Sequence, residues 1–115
     1  MKSEYLTKQF PVVCLCGSVR IGKALWDKKA QELSLEGCIV LKVDVWGLHE
    51  EMHNGSMKLE KEMLDKMHKR KIELSDIVYV LNLDGYIGKS TKSEIEHAQK
   101  LGKPIMYLEK HKGNS

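Results

Sequence analysis

The chain has 115 residues, 42% of them hydrophobic and 30% charged, which fits one soluble globular domain. A formal net charge of +3 is too small to indicate a nucleic-acid partner. No apolar run approaches the roughly 20 residues that span a bilayer, so neither nucleic acid nor membrane is an expected partner.

The opening stretch MKSEYLTKQF has no apolar core of signal-peptide length. With three cysteines (Cys14, Cys16 and Cys38), an odd number, it points to reduced thiols and a cytoplasmic location. PVVCLCG then reads as a strand buried on both faces, ending at Gly17. Cys14 and Cys16 lie two apart and share one face of it. They are expected to act as small buried apolar residues, because no CxxC is present to supply metal-ligand spacing.

IGKALWDKKAQELSLEG reads as a helix, with Trp26, Ala30 and Leu33 at helical spacing and Gly37 as its stop. CIVLKVDV is a second strand, expected to be buried. WGLHEEMHNGSM has no clean period and is expected to be a loop covering a pocket, with a short helical turn as an option. Within it, HEEMH matches the zinc-protease pattern, but the flanking Gly47 and Gly55 argue against the firm helix that chemistry needs. The sequon at Asn54, Gly55 and Ser56 is read as a turn.

KLEKEMLDKMHKRKIEL is helical. Leu64, His68 and Ile72 fall four apart, so His68 is expected to point inward, either as a core histidine or into a pocket. HKRK points in several directions around this helix and reads as a solvated face. DIVYVLNL is the third strand. GYIGKSTKSEIEHA begins as a loop and ends in a helix running to about Leu101, and GKPIMYLE supplies the fourth strand. KHKGNS is a polar tail, expected to fray.

Strands alternating with helices imply a parallel sheet wound by right-handed crossovers. The expected fold is a flavodoxin-like three-layer α/β sandwich with four strands in the order 2-1-3-4. Ligands on such sheets lie beyond the carboxyl ends of the strands, at the switch point. Residues 17–22, 45–57 and 84–90 should meet there.

Two readings of Glu94 stand side by side. Thr91, Lys92, Ser93 and Glu94 fit a capping box, in which Thr91 starts the helix and Glu94 reaches back to its amide. The same glutamate could instead be a nucleophilic carboxylate aimed at a ligand. CGSVRIG, between the first strand and helix, offers Gly17 for close approach, the Ser18 hydroxyl and the Arg20 guanidinium for a phosphate. An ordinary polar turn is the alternative.

Three segments together resemble the nucleoside 2-deoxyribosyltransferase-like family, which includes deoxynucleoside 5′-monophosphate N-glycosidases. They are VVCLCGSVRIG, SDIVYVLNL and STKSEIEHAQKLGKPIMYLE, and the likeness runs from about Val12 to Glu109. The resemblance implies cleavage or transfer at the N-glycosidic bond of a nucleoside or nucleoside 5′-monophosphate, with no cofactor and no metal. It makes Glu94 the nucleophile. His68 stands where the family has an aspartate and becomes the candidate proton donor. Gly17, Ser18, Arg20, Asp84, Tyr86 and Ser90 become candidate substrate contacts. The family also implies a homodimer, for which Trp46, Met57 and Met63 are the apolar interface candidates. The alternative function is a non-catalytic binding module for a nucleotide or NAD-derived ligand.

Overall fold

A computed structural model describes residues 9–110. The polar tail beyond Lys110 lies outside the described residues. Strands β1 (Val12–Gly17), β2 (Ile39–Leu41), β3 (Ile77–Leu81) and β4 (Ile105–Tyr107) form one sheet in the order β2-β1-β3-β4. Every pairing is parallel, with Cys14 opposite Leu41 on one side and Val78 on the other. Helices α1 (Lys23–Leu35), α2 (His49–His53), α3 (Lys58–Leu74) and α4 (Lys89–Lys100) complete a flavodoxin-like three-layer sandwich. No helix among the described residues is long and apolar enough to cross a membrane.

Strand alternation divides the core into two layers. Val13, Leu15, Ile77, Tyr79 and Leu81 face α1, where they pack with Trp26 and Leu33. Cys14, Cys16, Val78 and Val80 face the opposite way, against Ile72 of α3 and Ile95 and Ala98 of α4. The central strands are therefore apolar throughout, as a sheet covered on both faces requires. β1 and β3 are joined at their starts by the Asp76 carboxylate, which accepts from the Val12 amide at 2.8 Å.

Several boundaries differ from those expected. The second strand was expected to continue to Val45 and to be buried, but β2 ends at Leu41 and Ile39 is half exposed. It is an edge strand with a neighbour on one side only, and after Leu41 the chain leaves the sheet. The third strand stops at Leu81 because buried Asn82 bonds sideways to the Glu109 backbone in both directions, at 2.9 and 3.0 Å. α1 starts at Lys23, after Gly22 with φ of 96°, a conformation that favours glycine. Gly37, with φ of 93°, ends it as expected.

The largest correction concerns α4. It starts at Lys89 with Gly88 as its N-cap, and no side chain caps it. Thr91 therefore sits inside the first turn, buried, and no capping box forms with Glu94. The sequon does form a turn: the Asn54 side-chain oxygen accepts from the Ser56 amide at 2.9 Å.

Candidate functional site

β1 and β3 are adjacent, but the chain leaves β1 for β2 on one side and reaches β3 on the other. That places the switch point between them. A cleft of about 890 Å³ opens beyond their carboxyl ends. Gly17–Arg20, Val43–His49 and Tyr86–Glu94 contribute to its walls, as do α2 and the cleft-facing side of α3. The three expected loops do meet. The volume falls within the range of pockets that enclose nucleotide-sized ligands.

Glu94 and His68 lie at the base of this cleft. His68 Nε2 is 3.6 Å from Glu94 Oε1, and the two side chains are only 8% and 14% exposed. α3 brings His68 to the sheet because its apolar stripe, through Ile72, packs on the β1–β3 face. α4 does the same for Glu94 through Ile95 and Ala98. Glu94 Oε1 is buried with no hydrogen-bond partner. An orphaned buried carboxylate oxygen is costly and rare.

Beneath this pair lie two thiols. Cys16 Sγ is 3.3 Å and Cys14 Sγ 3.8 Å from the same His68 nitrogen. Both cysteines are fully buried. They fill the core as expected, and in addition reach the His68 ring from beneath. Their spacing already placed them on one face of β1. What it left open was that α3 and α4, carrying the histidine and the glutamate, cover that face.

The four groups shift one another. Burial pushes the Glu94 carboxyl up to about 7, against the pull of the His68 charge. Burial alone would lower His68, but its hydrogen bond with Cys14 and the negative charge of Glu94 outweigh that and raise it. Cys14 falls to about 6, chiefly through its hydrogen bond with Cys16, with burial opposing and His68 assisting. Cys16 rises through that same bond and through burial.

The cleft mouth carries cations. Arg20 Nη1 donates to the Tyr86 hydroxyl at 3.3 Å, and its guanidinium lies 5.4 Å from that ring centre. Lys89 and Ser90 also line the cleft, at the N-terminus of α4, where uncapped amides favour an anion. Ser18 lines the cleft too, with its oxygen accepting from the Arg20 amide at 3.1 Å. Gly17 serves packing: a Cβ there would lie 3.1 Å from the Leu81 Cβ and 3.2 Å from the Leu81 carbonyl.

Asp84 is the exception among the candidate contacts. It is exposed, absent from the cleft wall, and held in a turn by its amide donating to the Glu109 carboxylate at 2.8 Å. HEEMH forms a short helix, α2, the helical turn that its sequence allows, with the Leu48 carbonyl accepting from the Met52 amide at 2.9 Å. Its His49 and His53 rings stack 4.3 Å apart. Among the described residues no third histidine, cysteine or carboxylate joins them in a ligand cluster. Trp46 packs edge-on against Trp26 at 5.8 Å, while Leu59, Met63 and Met67 are exposed along one side of α3.

No protein-family model matches the chain, and no curated protein matches it.

Proposed function

We propose that the protein cleaves or transfers the N-glycosidic bond of a nucleoside or nucleoside 5′-monophosphate. The observation that carries this reading is Glu94 Oε1, buried, without a hydrogen-bond partner and beside His68 at the base of a nucleotide-sized cleft. The resemblance of the segment around Glu94 to the nucleoside 2-deoxyribosyltransferase-like family supports the same assignment.

Ionised Glu94 attacks the anomeric carbon. The carbon–nitrogen bond breaks, and the base departs with the electron pair and takes up a proton. The resulting glycosyl ester on Glu94 is then opened by water or by a second base, with net retention. His68, as imidazolium, holds the Glu94 carboxylate in place and is the proton source for the leaving base. Arg20 and the α4 N-terminus receive the 5′-phosphate, and Tyr86 and Ser90 border the sugar and base.

The active form is a homodimer. Leu59, Met63 and Met67 recur at four-residue spacing on the open side of α3, and Met67 also lines the cleft. A second copy covering this stripe would finish the cleft wall.

The test is incubation with a panel of nucleosides and 5′-monophosphates, with chromatographic detection of free base and mass spectrometry of the Glu94 peptide. Base release together with a glycosyl adduct on Glu94 supports the reading. No release from any substrate, or equal release by Glu94→Gln, overturns it.

A further inference from the structure

We propose that Cys14, Cys16 and His68 form a three-ligand site for a thiophilic divalent cation such as Zn²⁺, and that occupancy switches the Glu94 chemistry off by taking the His68 nitrogen. Among the described residues, Cys14, Cys16 and His68 form the one group of three whose ligand atoms all lie within 4.8 Å of one another. Glu94 stands outside this group, its Oε1 3.6 Å from the shared His68 nitrogen.

The distances fit a tetrahedron. Zinc bonds of about 2.0 Å to nitrogen or oxygen and 2.3 Å to sulfur place tetrahedral ligand atoms about 3.3–3.8 Å apart. The His68 nitrogen lies 3.3 and 3.8 Å from Cys16 Sγ and Cys14 Sγ. Two sulfurs and one imidazole are donors that zinc accepts, and thiolates select against magnesium and calcium.

The cleft gives the ion a path, since His68 and Glu94 both line it while the thiols lie behind them. On entry the two thiols release their protons to solvent. A His68 nitrogen committed to the metal carries no proton to the leaving base. The switching half of the proposal rests on the glycosidic reading, but the binding half does not.

The experiment is a Co²⁺ titration of the reduced, metal-free protein followed by absorption, with Zn²⁺ then added as competitor. The expected result is one equivalent bound, thiolate-to-cobalt charge-transfer absorption, and displacement by Zn²⁺. Cys14→Ser and Cys16→Ser should each halve that absorption. Cys38→Ser, in the opposite core layer, should leave it unchanged. His68→Ala should weaken Co²⁺ by more than the roughly 10–100-fold expected for loss of an outer-shell partner. Absence of the charge-transfer band in the wild-type protein overturns the site whether or not the variants fold. If a nucleoside substrate has been found, Zn²⁺ should stop base release and a chelator should restore it. Turnover unaffected by saturating Zn²⁺ overturns the switch, whereas cobalt binding in a protein with no turnover leaves the site standing and counts against the glycosidic reading alone.

Discussion

His68 Nε2 and Glu94 Oε1 lie 3.6 Å apart, screened from solvent, on two helices, α3 and α4, that pack side by side on one face of the sheet. A buried acid and a buried base at this distance control each other's charge, and the pH behaviour of the protein should follow from that.

The rate should rise with pH as Glu94 ionises, with a midpoint near 7, and fall again as His68 loses its proton above the ordinary histidine value. His68→Ala should remove the alkaline limb and reduce kcat by roughly a hundredfold or more, the lower range for lost acid–base catalysis. A pH–rate profile of both proteins decides the point, and an unchanged profile in the variant would return His68 to a packing role.

Glu94 should also weaken the fold as pH rises. Its folded pKa of about 7 lies above the ordinary glutamate value of 4.5, so the unfolded chain ionises first. Stability is then lost between those values, up to about 3 kcal/mol from this one group. Glu94→Gln should abolish turnover yet match or exceed wild-type stability at about pH 8, with the difference shrinking toward pH 4. Urea melts at the two pH values measure this; a glutamine variant that is less stable at alkaline pH would contradict it.

Arg20→Ala should impair 5′-monophosphates more than nucleosides. A charge-assisted phosphate contact is worth about 1.5–3 kcal/mol, or roughly ten- to a hundredfold in kcat/KM. The fold should be indifferent, because the Arg20 side chain is exposed and its guanidinium donates only to Tyr86 among the described residues. Equal losses for the two substrate types would show that Arg20 does not read phosphate.

Gly17→Ala should destabilise by about 1–3 kcal/mol, the usual cost of overpacking a filled site. The added carbon would meet the Leu81 backbone on the neighbouring strand at 3.2 Å, which cannot move without disturbing the β1–β3 ladder. Chemical denaturation reports the change directly.

Met63→Lys or Met67→Glu should convert the expected dimer to a monomer, because either places a charge in the exposed stripe on α3. Light scattering at micromolar concentration distinguishes the two states. A wild-type monomer with full activity would remove the dimer from the mechanism.

Local pattern by itself determined the four strands, three of the four helices, their parallel winding and the inward face of His68. Apolar runs and four-residue spacing report which side of an element is buried, and both are properties of contiguous chain. The same information cannot say what a buried side meets, because that depends on which crossover carries each helix to which face of the sheet. So Cys14 and Cys16 were legible as neighbours on one strand face, while their contact with His68, and the approach of His68 to Glu94, came only with the packing of α3 and α4. The start of α4 was decided in the same way. A capping box was available at Thr91, but Thr91 is buried in the packed helix and the first turn extends back to Lys89. Burial of that face outweighs the capping box, and the glutamate that could have closed it is left facing the cleft.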